Sequence, residues 1–297
     1  MKRHHEPKSG SSINGGALPQ GDGAALPEER VELGRRRRSE RRRTGVILAA
    51  GFGSRLADAR EGNDLKPLTP VAGKPLILRT LESLEKAGCD RVVIVLGYCS
   101  HTHREAIEEF YNGPLTLHFA VNDRYDLANG ISVLSAREFV RDEFILVMAD
   151  HILGPVVSER ARLHLPPEGG ATLLVDYKLD SIFDMDDATK VREKNGRIVS
   201  IGKQIDDYNC IDTGVFVCTP GLMDALQHVY EEKGDASLSD GVQLLSERGL
   251  MNTLDIGEGF WQDVDTPEML AYAEQVLESD EQTSALGSQI AAAADQA

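Results

Sequence analysis

Four short, continuous apolar runs, separated by amphipathic stretches of helical period, occupy residues 44–148, and few folds accept that pattern. Thr44–Ala50, Arg91–Leu96, Leu115–Ala120 and Glu143–Met148 read as strands buried on both faces. Between them, Pro75–Lys86 puts Ile77, Leu81 and Leu84 on one helical face, with Pro75 at its start and Gly88 as its stop. Residues 101–111 form a second helix through His103, Ile107, Phe110 and Tyr111, and Ile131–Phe139 a third. Repeated strand–helix–strand units build a parallel sheet with right-handed crossovers. The fold class expected is therefore α/β, a mostly parallel sheet with helices on both faces.

Beyond residue 150 the pattern changes. Ala171–Asp176, Ile211–Thr219 and Leu250–Ile256 read as strands, and Thr189–Ser200 as a hairpin around the turn Asn195-Gly196. Helices follow at about 220–232 and 237–248, and Thr266 caps a last helix that Pro267 opens. No internal repeat is visible. One domain over 44–278 is expected, its halves 44–150 and 151–278 sharing a sheet, the second with a small β-rich part.

Residues 1–43 lack apolar periodicity and read as a disordered basic tail, with eleven Lys/Arg against six Asp/Glu. The run Arg35–Arg38 and Arg41–Arg43 offers contact with nucleic acid or anionic lipid as the alternative to a solvated tail. Residues 279–297 read as a second loose tail. The whole chain carries a net charge of −16, so the body beyond the basic tail is more acidic still. Such a body repels nucleic acid polymers. An anionic substrate would need local lysines and arginines and a divalent cation. The four cysteines form no C-x-x-C pair and fit ordinary thiols in a reducing compartment. No apolar run approaches the ~18 residues of a membrane span, and no secretory leader is visible, so a soluble, cytoplasmic protein is expected.

The loop after the first strand carries the chemistry. Residues 48–56 read Leu-Ala-Ala-Gly-Phe-Gly-Ser-Arg-Leu. A P-loop would close on Gly-Lys-Ser/Thr, and Ser54-Arg55 follows Gly53 instead. A dinucleotide fingerprint wants a third small residue, where Leu56 stands, and an acidic residue after the second strand, where Leu96-Gly97-Tyr98 stands. What remains is a loop in which Gly51 and Gly53 let backbone N–H groups approach a triphosphate, and Arg55 offers it a planar, permanently charged fork. Lys66 in Lys66-Pro67-Leu68 and Lys74 in Gly73-Lys74-Pro75 bring further cations. Asp150 follows the fourth strand, beyond the carboxyl end where ligands of open parallel sheets bind.

The string L-A-A-G-F-G-S-R-L, K-P-L-T-P-V, G-K-P-L-I resembles the start of the sugar-phosphate nucleotidyltransferase superfamily, whose core is Rossmann-like. Within it, V-M-A-D-H at 147–151, D-D-A-T-K-V at 186–191, G-R-I-V-S-I-G-K at 196–203, D-T-G-V-F-V-C-T-P at 212–220 and F-W-Q-D-V-D-T-P-E at 260–268 are most similar to the CTP:inositol-1-phosphate cytidylyltransferases. The resemblance covers about residues 44–278. It implies a nucleotide-binding half at 44–150 and an acceptor-binding half at 151–278. Leu48, Ala49, Ala50, Gly51, Gly53 and Ser54 would line the nucleotide, Arg55 and Lys66 would be catalytic, and Asn122, Asn129 and Ser132 would read base and ribose. A helix cap is the plainer role for Asn129 or Ser132. Asp150 and Asp263 would hold Mg²⁺, with Asp265 close enough on an extended stretch to share it. His151 reads either as a hydrogen-bonded strand-end histidine without a catalytic part or as a functional residue of the site. Lys203 would hold the acceptor phosphate, and Asp212 and Thr213 would face its hydroxyls.

The activity implied is transfer of CMP from CTP to inositol 1-phosphate, giving CDP-inositol and pyrophosphate for phospholipid biosynthesis. Attack is in line by an anionic acceptor oxygen, so orientation and charge neutralisation suffice. Choline phosphate and sugar 1-phosphates remain alternative acceptors, and a nucleotide-binding regulatory homologue the non-enzyme alternative. Some relatives continue into a membrane-bound phosphotransferase domain; the reading expects that activity, where needed, on a separate protein.

Overall fold

The computed structural model describes residues 42–51 and 65–279. Readings that fall on Gly53, Ser54 and Arg55, on residues 1–41 of the expected tail 1–43, and beyond residue 279 lie outside the described residues; Arg43, expected in that tail, instead opens the first strand, its buried guanidinium donating to Glu143 at 3.1 Å. In chain order the strands are β1 (Arg43–Ala49), β2 (Pro70–Val71), β3 (Lys74–Pro75), β4 (Cys89–Leu96), β5 (Thr116–Val121), β6 (Phe144–Met148), β7 (His151–Leu153), β8 (Ala171–Asp176), β9 (Lys190–Lys194), β10 (Arg197–Gly202), β11 (Cys210–Cys218), β12 (Met251–Asp255) and β13 (Trp261–Asp263).

Nine of them form one sheet in the order β5-β4-β1-β6-β11-β8-β12-β10-β9. The first four are mutually parallel, as the run of βαβ units requires, and β8 and β12 also pair in parallel. Strand β11 lies antiparallel between β6 and β8. Its start therefore lies at the same sheet edge as the ends of β1, β6 and β8. Successive residues of β1 feed two cores: Val46 belongs to one side of the sheet and Ile47 to the other. Helix Leu76–Lys86 buries Ile77, Leu81 and Leu84 on the Ile47 side. Helices Gly221–Lys233 and Leu238–Glu247 bury Leu222, Leu226, Val242 and Leu245 on the Val46 side. A side chain such as Ile47, wholly buried, contributes roughly 1.5–3 kcal/mol.

The expected hairpin forms with Asn195 and Gly196 both at positive φ, 56° and 75°, the geometry that an Asn-Gly pair accepts most readily. Thr266 caps the last helix, which runs over 267–279, its Oγ1 accepting the Met269 N–H at 3.3 Å. The sequence reading missed the short strands β2, β3, β7 and β13 and helix Pro155–Leu163. The third expected helix is shorter, Asn129–Ser135, and a separate 3-10 turn follows at Arg137–Phe139. Among the described residues no helix is long and apolar enough to cross a membrane.

Candidate active site

A cleft of about 560 Å³ opens at the sheet edge where β1, β6 and β8 end and β11 begins. Leu48, Ala50 and Gly51 from the end of β1 line one part of it. Ala49 alternates away, its side chain packed in the core on the Ile47 side. Asn129 and Ser132 reach the same part of the cleft from the start of helix Asn129–Ser135. Neither caps that helix. The Asn129 side-chain oxygen instead accepts the Leu238 N–H at 2.8 Å, covering the first amide of the neighbouring helix. Asn122 is buried behind Ser132, donating from Nδ2 to Ser132 Oγ at 2.9 Å and accepting the Arg124 N–H. It supports Ser132 rather than facing the cleft.

At the floor, carboxylates from distant segments meet. Asp150 leaves β6 into β7, and Asp263 ends β13, which pairs antiparallel with β7 so that Asp263 lies opposite His151. The Val264 N–H donates to the Asp150 carbonyl at 2.9 Å, which fixes the turn that leads to Asp265. Lys66, from the 3-10 turn Lys66–Leu68, donates its ammonium to Asp150 Oδ2 at 2.5 Å and to Asp265 Oδ1. Asp265 rather than Asp263 thus joins Asp150 through the lysine. Asp263 accepts a 3.0 Å hydrogen bond from Gln262 Nε2. Lys74 does not join: its ammonium pairs with Glu82 at 2.8 Å on the flank of helix Leu76–Lys86.

Proton affinities follow this geometry. Burial works against the Asp150 carboxylate, but Lys66 and the His151 hydrogen bond outweigh it and hold its pKa far below the ordinary range. Burial also opposes charge on Lys66, and Asp150 and Asp265 more than compensate, so its pKa is raised. Asp263 goes the other way: burial, then the charges of Asp265 and Asp150, raise its pKa despite His151. The corner gathers three carboxylates with the Lys66 ammonium and the His151 imidazole. Among the described residues no three His, Cys, Asp or Glu side chains make a ready metal cage. The donors are nonetheless carboxylate oxygens, the type a hard divalent cation takes while keeping waters and phosphate oxygens as its other ligands.

His151 is held more firmly than the sequence suggested. Its Nδ1 lies 2.7 Å from Asp150 Oδ1, and its ring stacks on Trp261 at 5.9 Å between centroids. Burial disfavours its cation, but the Asp150 hydrogen bond and the charges of Asp150 and Asp263 raise its pKa. Gly214, at φ +71°, is what lets β11 pass: a Cβ there would stand 2.6 Å from His151 Nε2.

The cleft is also lined by Lys203, Asp187, Asp212 and the aromatic pair Phe183 and Tyr272. Lys203 Nζ donates to Asp187 Oδ1 at 2.6 Å. Asp212 Oδ1 accepts the Gly214 N–H at 2.7 Å, and burial pushes its pKa up to about 6. Thr213 does not face the cleft as expected. Adjacent strand residues point to opposite faces, and its hydroxyl is fully buried, donating to the Leu174 carbonyl at 2.8 Å. Asp176, at the end of β8, and Lys178 were missed. The signal was available, since Asp176 ends a wholly buried strand as Asp150 nearly does.

The model of the MobA-like NTP transferase domain matches residues 45–238. A bifunctional IPC transferase and DIPP synthase of Rubrobacter xylanophilus is 34% identical over 236 residues, 78% of this chain and 51% of that protein. Its counterpart in Aquifex aeolicus is 32% identical over 234 residues, 79% of this chain and 51% of that protein. The chain spans about half the length of these curated relatives. Among solved structures, the inositol-1-phosphate CTP transferase from T. maritima superposes with a TM-score of 0.68 at 27% identity, over 78% of this chain and 96% of that one. A UDP-glucose pyrophosphorylase complexed with UDP-glucose shares the fold, with a TM-score of 0.66 at 16% identity over 81% of this chain and all of that one.

Proposed function

The chain belongs to the MobA-like NTP transferase family, and from that premise we propose that it transfers CMP from CTP to inositol 1-phosphate, releasing pyrophosphate. The observation that carries this reading is the meeting of Lys66 with Asp150 and Asp265, two carboxylates that line a cleft also lined by Lys203 and Asp212. The likeness to the T. maritima inositol-1-phosphate CTP transferase supports the choice of base and acceptor.

In this reading the nucleotide lies against Leu48, Ala50 and Gly51, with Asn129 and Ser132 beside its base and ribose. Asp150 and Asp263 hold Mg²⁺, with Asp265 able to share it; the cation, when bound, draws negative charge from the phosphates. Lys66 supplies a fixed positive charge beside the α-phosphate, and Arg55 is its proposed partner from the glycine loop. Lys203 takes the acceptor phosphate, and the free oxygen of Asp212 accepts from a ring hydroxyl. The attacking oxygen is already anionic, so the residues need only hold it in line and neutralise charge as it develops. The residue division 44–150 for nucleotide and 151–278 for acceptor belongs to the same proposal. So do a cytoplasmic location, where nucleoside triphosphates and free thiols like the four cysteines coexist, and a part in phospholipid biosynthesis.

The test is a panel of CTP, UTP, GTP, ATP and dTTP against inositol 1-phosphate, phosphocholine and hexose 1-phosphates, scored by pyrophosphate release with Mg²⁺ present. Release dependent on CTP and inositol 1-phosphate is expected. Release with another pair alone would overturn the substrate assignment, and release with none would overturn the enzymatic one.

A further inference from the structure

Strand β13 carries Asp263 and leads to Asp265, yet it is three residues long and pairs with an equally short β7. A ribbon of that size does not hold itself in water. Hydrogen bonds from Val264 N–H to Asp150 O and from Gly154 N–H to Phe260 O, both 2.9 Å, join the ribbon to itself. Leu153 and Trp261 pack on the core on the Ile47 side, and Ile152 and Val264 on Val71 and Leu76; the polar link to the main sheet is a side chain. Asp176, the last residue of β8, is 2% exposed. Its Oδ2 accepts the Trp261 Nε1–H at 2.9 Å, and its Oδ1 accepts both the Lys178 N–H and the Lys178 ammonium at 2.8 Å. That ammonium also donates to the carbonyls of Gly257 at 2.6 Å and Gly259 at 3.3 Å.

Lys178 borders the cleft and on position alone would pass for a phosphate ligand. Its three N–H donors are already matched by three oxygens, so none is left for a substrate. Both ends of the segment 257–261 are instead tied to one Asp–Lys pair on the sheet. The tied indole then stacks on His151, which holds Asp150.

We propose that Asp176 and Lys178 are positioning residues that fix the strand bearing Asp263, and the turn to Asp265, against Asp150, and so set the affinity of the site for its divalent cation. The proposal rests on the cation-binding reading of those three carboxylates. Outer residues that orient metal ligands commonly govern affinity by about 10- to 100-fold, and the same range applies here.

Trp261 is the chain's single tryptophan, so its fluorescence reports on the clamp directly. The full chain is compared with Asp176→Asn, Lys178→Met and Trp261→Phe. Mn²⁺ binding is followed by the electron paramagnetic resonance of free Mn²⁺, with CTP present, and acrylamide quenching of Trp261 is followed without metal. Each substitution is expected to raise the Mn²⁺ Kd about 10-fold or more, and the first two to expose Trp261 to acrylamide while unfolding stays cooperative. Wild-type quenching in both Asp176→Asn and Lys178→Met refutes the clamp, whatever the metal does. Greater quenching with an unchanged Mn²⁺ Kd refutes its role in affinity. Absence of Mn²⁺ binding by the unaltered chain sinks the cation reading itself, and the link to affinity with it. Should Asp176→Asn fail to fold, Lys178→Met and Trp261→Phe, which leave the buried carboxylate in place, decide the matter.

Discussion

Replacing Lys66 by Met removes the ammonium that Asp150 and Asp265 share. The side chains of Lys66 and Asp265 are 12% and 13% exposed, and that of Asp150 29%. Removing one partner of a buried ion pair costs about 3–5 kcal/mol, because the stranded charge has lost its water without keeping its counter-ion. Asp150 retains His151 and some solvent, so the lower end, about 3 kcal/mol, is expected in a metal-free buffer. For a domain of this size that corresponds to a fall in Tm of roughly 6–12 °C. A divalent cation at about a hundred times its Kd returns about 2.7 kcal/mol by mass action. Mg²⁺ should therefore restore most of the Lys66→Met fold. The rate should stay low, because a bound metal does not replace a fixed donor at the transferring phosphorus, a loss of about 10²–10³ in kcat. Scanning calorimetry with EDTA and with Mg²⁺, beside pyrophosphate release, reads both halves. A Tm that ignores Lys66→Met in EDTA, or does not recover with Mg²⁺, would show that the carboxylates and a cation do not compensate one another. A retained rate would make Lys66 a structural residue.

Asp212→Asn has a sign set by burial. A carboxyl whose folded pKa is raised from 3.8 to about 6 binds its proton more tightly when folded, so stability falls as pH rises through that window. The substitution should stabilise the chain by on the order of 2 kcal/mol at pH 7.5 and do nothing near pH 3, measured by urea unfolding; equal effects at both pH values would refute the burial argument. Gly214→Ala should cut kcat at least 10-fold, since the new Cβ meets His151 Nε2 and the left-handed backbone costs about 1–2 kcal/mol; an unchanged rate would mean that the His151 ring has no part in ordering Asp150. Lys203→Met should raise the acceptor KM about 10-fold or more with kcat little changed, as loss of a charged hydrogen bond worth about 1.5–3 kcal/mol in binding predicts. A fall in kcat instead would move Lys203 to the reacting phosphate.

The main sheet was legible because its strands carry their own signal. Val92–Leu96 and Phe144–Leu146 are apolar without interruption, and only a strand covered on both faces needs that. Asp150 was legible for the same reason: a carboxylate after such a run is conspicuous. The ribbon was not, since three residues cannot show a period of two. Helix Pro155–Leu163 was missed because only Val157, Ser158 and Ala161 are buried along it, too few for an apolar stripe, although Gly154-Pro155 marks its start. The Lys66–Asp265 contact spans nearly two hundred residues and depends on the turn after β13, so no local pattern announces it. Thr213 is a different case. Strand alternation alone forbids Asp212 and Thr213 from sharing a face, and the parity of β11 could have settled which one meets the cleft.

Two antiparallel features, strand β11 within the main sheet and the β7–β13 ribbon beside it, explain how the site is assembled. A purely parallel arrangement brings together only the ends of strands, and so only residues that follow apolar runs, such as Asp150 and Asp176. Strand β11 reverses direction and delivers the beginning of a strand to that edge, so Asp212 arrives from the other chain direction. The β7–β13 ribbon does the same outside the sheet, returning the late segment across the residue after Asp150. The carboxylates come from two segments, Asp150 from one and Asp263 and Asp265, two residues apart, from the other, and bringing them together costs mutual repulsion. Folding meets that cost only where Lys66 and His151 are delivered with them. The proton affinities record that division: Asp150, which touches both Lys66 and His151, has its pKa held far below the ordinary range, while that of Asp263, buried and facing the charges of Asp265 and Asp150, is raised.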